Sequence, residues 1–120
     1  MTTGSAPPEP LPEDDGVHVD PSDPTRLLLH GEVDVAVVGA FADTAGLPLG
    51  DLGRSLGEGG VTEVDLSAAT FIDSSAIALL VAIAPALRPG RLRVRGAQGS
   101  PLMAIRATGL DALFDLVPAD

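Results

Sequence analysis

The chain has 120 residues, which suits a single domain, and a formal net charge of −10. That charge argues against nucleic acid or an anionic membrane as a direct partner, because neutralising phosphates needs a basic face. Without cysteine, disulfides and thiol chemistry are excluded, and two histidines give little basis for a metal site or a bound cofactor. No apolar run approaches the length of a membrane span and no signal-peptide pattern is present, so we expect a soluble, cytoplasmic protein.

The N-terminal stretch differs in composition from the rest of the chain. Residues 1–16 are rich in proline and acidic residues and contain few side chains able to pack, which predicts a disordered tail. Residues 17–118 are expected to form the folded domain.

Two strands are predicted at the start of the domain. Val17–Val19 is read as a short edge strand, and Arg26–His30, with three consecutive leucines, as a strand buried on both faces. Gly31 is expected to end or bulge this strand, which places His30 at a strand end. Asp34 then stands where an N-cap would begin the next helix.

Residues 35–60 are predicted to contain two helical pieces. The first has one apolar face and is broken at Gly46-Leu47-Pro48. The second is amphipathic through Leu49, Leu52 and Leu56, and a turn follows at residues 58–60.

The central prediction is a strand, a loop that carries hydroxyl groups, and a helix. The strand is placed at Val61–Leu66, and apolar residues at helical spacing follow from Ile77. Between them stand Asp73, Ser74 and Ser75, residue types that cap helix starts. The same backbone donors also favour a phosphate, so the serines either cap the helix only or serve as a covalent switch.

The remaining elements are predicted from prolines, glycines and the alternation of charged and apolar residues. Pro85 is expected to kink or end the central helix, and Arg91–Gly96 to form a strand with one solvated face. That row of arginines could bind an acidic partner, although a solvated face is favoured. A last helix is predicted to begin with Ser100 as its N-cap and Pro101 as its first residue. Residues 113–117 are expected to form a short terminal strand.

This alternation of strands and helices predicts an α/β domain. Alternation of this kind gives a mostly parallel sheet with right-handed crossovers and helices against it. If the strands that precede Asp34 and Ser74 are parallel neighbours, these two residues meet at one rim of the sheet.

Five segments together resemble the STAS domain, and more narrowly the bacterial anti-sigma factor antagonists, over roughly residues 17–117. They are Gly31-Glu32-Val33-Asp34, Val64-Asp65-Leu66-Ser67, Phe71-Ile72-Asp73-Ser74-Ser75, Leu92-Arg93-Val94 and Thr108-Gly109-Leu110-Asp111-Ala112-Leu113-Phe114. The combination and its order are specific, whereas each segment alone is not.

The resemblance implies a small α/β domain, with a mixed, mostly parallel sheet of four to five strands and the helices packed on one face. It also implies a regulator of transcription and not an enzyme. In the family, the unphosphorylated antagonist binds an anti-sigma factor that is also a serine/threonine kinase, and this binding releases the sigma factor. The kinase phosphorylates the serine after the aspartate and so prevents binding, and a phosphatase restores it. The implied phosphoacceptor is Ser74, and the implied partner-binding residues are Glu32, Asp34, Asp73, Ser74, Ser75 and Ala76.

Two departures from the family pattern and two alternatives accompany this reading. The family usually has glycine where this chain has Ala76, and the span from Asp34 to Asp65 is longer than usual. One alternative is a STAS subunit of a lipid-transport ABC complex that acts as an adaptor without a switch. The other is a hydrolase with a serine nucleophile, which needs a base, and neither His18 nor His30 stands in a triad-like context with Ser74.

Overall fold

The computed structural model describes residues 16–119, so the predicted acidic tail lies outside the described residues except for Gly16. The strands are β1 (Gly16–Asp20), β2 (Asp23–Val33), β3 (Glu63–Ile72), β4 (Leu92–Arg95) and β5 (Phe114–Val117). The helices are α1 (Val35–Ala45), α2 (Leu49–Glu58), α3 (Ser74–Ile83) and α4 (Gly99–Ala107), with 3-10 helices at Ala84–Leu87 and Leu110–Leu113.

The five strands form one sheet in the order β1-β2-β3-β4-β5. Strand β1 runs antiparallel to β2, and the other neighbouring pairs are parallel. The predicted mixed, mostly parallel sheet is therefore confirmed, with β3 at its centre.

All four helices pack on one face of this sheet, as predicted. The side chains on that face are apolar and buried at alternate positions of the strands: Leu27, Leu29, Val64, Leu66, Leu92 and Val94. The intervening side chains of β3 and β4 are charged or polar and lie on the opposite, uncovered face.

A buried acid organises the uncovered face. Glu63 is 6% exposed and accepts from Arg26 Nε at 2.6 Å and from Arg95 Nε at 2.9 Å. Arg93 lies further away, with its Nε 3.6 Å from Glu63 Oε1. The hydrogen bonds from Arg95, and then those from Arg26, lower the pKa of Glu63 from 4.5 to about 2. The arginine row of β4 is thus neutralised in part by an acid of the same chain.

Three local predictions were wrong. Strand β3 does not end at Leu66 but continues to Ile72, because β2 pairs with it as far as Val33. His30 lies inside β2, not at its end, and its ring contacts His18. Helix α4 begins at Gly99 with Gln98 as N-cap, because Gly99 with φ of 59° turns the chain into the helix before Ser100.

Other local signals were correct. Helix α1 ends at Ala45 before the glycine and proline that were expected to break it, and α3 gives way to the 3-10 helix that contains Pro85. The register between β2 and β3 does shift at Gly31, but the extra residue lies in β3, between Ala69 and Phe71, and β2 itself continues to Val33. Among residues 16–119 no single helix is long and apolar enough to cross a membrane, although the bent pair of α1 and α2 would pass on length and composition.

Candidate functional site

The candidate site lies where β2 and β3 end side by side. Val33 pairs with Ile72 in parallel register, and the backbone N–H of Asp73 donates to the carbonyl of Val33 at 3.2 Å. The loops that carry Asp34 and Ser74 therefore meet at one rim of the sheet, as the strand order predicted.

Asp73 caps two helices at once. Its Oδ1 accepts from the backbone N–H groups of Ser75 at 2.9 Å and Ala76 at 3.2 Å, in the first turn of α3. Its Oδ2 accepts from the backbone N–H of Val35 at 3.1 Å, in the first turn of α1. Both carboxylate oxygens are thus engaged within the chain, and the side chain fixes the two loops relative to each other.

The other residues named from the sequence have different exposures at this rim. Asp34 caps α1 by accepting from the Val37 N–H at 3.0 Å. Ser74 and Glu32 are exposed, and Ser75 is half-buried. Ala76 is fully buried, so its methyl group packs into the core, where it does not obstruct an approaching partner.

Ser74 and Ser75 line one end of a groove between α2 and α3 with a volume of about 600 Å³. The two helices run parallel, because Gly53 lies against Leu79 and Ala82 while Gly57 lies against Ile83 and Ala86. Their N-termini are therefore neighbours. None of the residues that line the groove is charged, and many are small, including Gly50, Gly53, Ala78 and Ala82.

The close approach of α2 and α3 predicts that Gly53→Ala destabilises the protein. A Cβ at position 53 would lie 2.4 Å from the Cβ of Ala82 and 2.9 Å from the carbonyl oxygen of Leu79, so the helices would have to separate. Overpacking of this kind costs about 1–3 kcal/mol of unfolding free energy. Urea denaturation followed by circular dichroism measures it.

Gly50→Ala is the matched control, since it lies in the same helix and a Cβ there would meet nothing within 4 Å. The higher helix propensity of alanine should leave this variant as stable as wild type or more stable, by up to about 1 kcal/mol. Equal stability of the Gly53→Ala variant and wild type would contradict the observed helix contact.

The sequence reasoning did not predict three exposed apolar side chains on the elements that meet at this rim. Phe71 is 42% exposed, Leu49 46% and Val35 56%. Leu49 lines the groove, Val35 follows Asp34 at the start of α1, and Phe71 lies two residues before Asp73 at the end of β3. We call these three residues and Ser74 the rim surface. The spacing of Gly53 and Gly57 by one helical turn was the available signal for a close helix contact, whereas nothing local marks these apolar residues as exposed.

Neither histidine of the described residues lines the groove beside Ser74. Within residues 16–119, no three His, Asp or Glu side chains are grouped so as to hold a metal ion. His18 and His30 line a separate cavity beside α1, which does not include Ser74.

Two solved structures share this architecture. One is a protein of Thermotoga maritima described provisionally as an anti-sigma factor antagonist, with a TM-score of 0.56, 14% sequence identity, and coverage of 86% of this chain and 85% of the other. The second is the anti-sigma factor antagonist SpoIIAA in its unphosphorylated form, with a TM-score of 0.53, 15% identity, and coverage of 85% and 86%. At these identities the likeness concerns the fold. No curated protein matches the chain.

Membership of a family is established by sequence. The family model described as "Mlab, STAS domain" matches residues 18–118, nearly the whole described range. This match agrees with the segments noted in the sequence and with the observed sheet order. The chain therefore belongs to the STAS domain family.

Proposed function

We propose that this protein is an anti-sigma factor antagonist, which binds an anti-sigma factor with serine/threonine kinase activity through the rim surface and is switched off by phosphorylation of Ser74. The observation that carries the proposal is the position of Ser74. It is exposed, it is the first residue of α3, and it follows the aspartate that caps this helix. The two structural neighbours described as antagonists support the same function.

The surroundings of Ser74 suit a protein partner. The exposed apolar side chains of Val35, Leu49 and Phe71 provide area that gains free energy when it is removed from water. The uncharged groove between α2 and α3 opens beside the same hydroxyl group. A partner that covers the rim surface would therefore also cover Ser74.

Phosphorylation would change the charge of this surface without an evident internal binding site. A phosphate adds about −1.5 to −2 charge at neutral pH. Asp73 and Asp34 already cap the helices at this rim, and no basic residue lines the groove. The helix N-terminus limits the local cost of the phosphate, whereas a partner would have to desolvate it against apolar side chains. We therefore expect loss of binding without rearrangement of the domain.

The test is incubation of the protein with candidate anti-sigma kinases and ATP, with the modified residue mapped by mass spectrometry. We expect modification at Ser74 only. The phosphorylated protein and the Ser74→Asp variant should bind the kinase at least tenfold more weakly than the unmodified protein, as measured by calorimetry. Amide spectra of the two forms should agree outside the rim.

Ser75→Ala is the matched control, because it removes the neighbouring hydroxyl while the Ser75 backbone N–H still donates to Asp73. This variant should remain a substrate of the kinase, whereas Ser74→Ala should bind but resist modification. A Ser74→Ala variant that its kinase can still switch off would disprove the proposal.

The second candidate is a STAS subunit without a phosphorylation switch. It is favoured by the description of the matching family model, which names Mlab and not an anti-sigma factor antagonist. Such a subunit would act as an adaptor in a lipid-transport ABC complex. It predicts that Ser74→Ala and Ser74→Asp both retain partner binding, and that a pull-down recovers an ATPase and not a kinase.

We propose action by binding and not by catalysis. A serine nucleophile needs a base within hydrogen-bond reach. The two histidines line a different cavity from the groove beside Ser74, which supports a non-enzymatic role.

A further inference from the structure

The two histidines of the chain face each other at the edge of the sheet. Their Nε2 atoms are 3.2 Å apart and their ring centroids 4.6 Å apart. His30, on β2, is only 8% exposed and its Nδ1 is buried without a hydrogen-bond partner. His18 lies on the edge strand β1, so the contact joins that strand to the rest of the sheet.

This geometry has room for one proton between the rings. One Nε2 must donate and the other must accept, because two N–H groups at this distance would repel each other. If His18 were the donor, a neutral His30 would carry its proton on the buried Nδ1, where no acceptor lies. The favoured arrangement therefore has His30 Nε2–H donating to His18 Nε2, with a bare His30 Nδ1.

A second proton on the pair has no favourable place. Added to His18, it would sit on Nε2 and face the N–H of His30. Added to His30, it would sit on Nδ1 and place a charged N–H without a partner inside the protein. The first event sets two N–H groups against each other, whereas the second keeps the hydrogen bond but buries a charged N–H without a partner. If charged His18 became the donor instead, His30 would carry its own proton on the unpartnered Nδ1. Each arrangement makes the protonated contact less stable than the neutral one.

We propose that the His18–His30 pair is a proton-sensitive contact that holds β1 on β2 near neutral pH and loosens it in mildly acidic conditions. Movement of the His30 ring is coupled to the strand, because the ring covers Gly16, where an added Cβ would lie 2.8 Å from His30 Cε1. A cavity of about 500 Å³, lined in part by both rings and Phe41, gives a displaced ring space.

The pH dependence has a definite sign. Burial, and then the charge of a protonated His30, lower the pKa of His18 below its ordinary value of 6.5. The separated strand therefore takes up protons before the paired strand does. The paired form keeps its full stability above the ordinary value and loses it as the pH falls below that value.

Few other charges act on the pair. Asp20 on β1 opposes the shift of the His18 pKa, and Asp65 on β3 pairs with Leu28 beside His18 but accepts from Ser67. Glu32 lies two residues beyond His30 on β2. From α1, the residues that line the cavity are uncharged.

The experiment is amide hydrogen exchange of Val17 and Val19 in the full chain at pH 7.5 and 5.5, corrected for the intrinsic rates. A released histidine with an ordinary pKa is mostly protonated at pH 5.5, so release of His18 should raise the open fraction of β1 by up to roughly tenfold. The amide of Ile105 in α4 is the internal control, and its protection should change little. Equal protection of β1 at both pH values would overturn the proposal.

His18→Gln is the matched variant, since its amide can bond to His30 but takes up no proton in this range. In this variant, the open fraction of β1 should change less than twofold between pH 7.5 and 5.5. A change as large as in wild type would contradict the proposal. If this variant does not form β1, NMR titration of the wild-type imidazoles decides. His18 should then titrate below 6.5, whereas independent titration of both rings at their ordinary value would overturn the contact.

Discussion

Replacing Glu63 by glutamine is expected to lower the free energy of unfolding by about 3 kcal/mol at pH 7. The carboxylate is buried and receives the guanidinium groups of both Arg26 and Arg95. An amide keeps the volume but not the charge, and its NH₂ group would face an arginine that also donates. Urea denaturation of wild type and variant measures the difference.

The loss of stability should depend on pH in a defined direction. The folded-state pKa of Glu63, about 2, lies below its ordinary value of 4.5, so the unfolded chain takes up the proton first. The contribution is fully present above pH 5 and is lost as the pH falls toward 2. The difference between wild type and Glu63→Gln should therefore shrink to about half its neutral value near pH 3.

Arg93→Gln is the control for this prediction. Arg93 lies on the same face and its side chain is 52% exposed, with its Nε 3.6 Å from the Glu63 carboxylate. A solvent-screened pair of this kind contributes about 0.5 kcal/mol, so the variant should be close to wild type. A Glu63→Gln variant that is no less stable than Arg93→Gln at pH 7 would show that Glu63 does not stabilise this face.

Asp73→Ala is expected to destabilise the protein by about 2–3 kcal/mol, more than removal of an ordinary N-cap. The substitution leaves three backbone N–H groups, in two helices, without their acceptor. Hydrogen exchange should therefore accelerate in the first turn of α1 as well as in α3, although position 73 follows β3. Thermal or urea unfolding and exchange at Val35 and Ala76 measure the two effects.

Two variants separate the contributions to this effect. Asp34→Ala removes one capping bond, to Val37, and should cost about 1 kcal/mol. Asp73→Asn keeps an oxygen for α3 but presents NH₂ to Val35, so it should restore protection in α3 and not in α1. If exchange at Val35 is unchanged in Asp73→Ala, the link between the helices is not formed in solution.

The predictable part of the fold was encoded in local patterns. Three consecutive leucines correctly indicated a strand, although only Leu27 and Leu29 are buried and Leu28, on the other face, is half-buried. Pro85 indicated the end of the central helix. The extension of β3 to Ile72 could not be read locally, since residues 67–71 have no strict alternation and the neighbouring strand holds them in the sheet. The N-cap at Gln98 was missed for a similar reason, because Gly99 and not a side-chain cap starts α4.

The site was predictable in its residues and less so in their contacts. Aspartate and two serines correctly indicated a capped helix start at residues 73–75, but the cap is Asp73 and not a serine, since both serines lie inside α3. The bond from Val35 to Asp73 joins residues 38 positions apart, and no local pattern encodes it. The ion pairs of Glu63 depend in the same way on strand order, which places Arg26 and Arg95 on either side of it.

The contact between Gly53 and Ala82 also limits how the groove beside Ser74 can change. These two residues set the spacing of α2 and α3, and both line the groove. A larger side chain at either position would push the helices apart and would also make the groove shallower. If a partner binds in this groove as proposed, its affinity and the stability of the domain cannot be changed independently at these two positions. A new binding specificity would then have to arise at exposed lining positions such as Leu49 and Ala78.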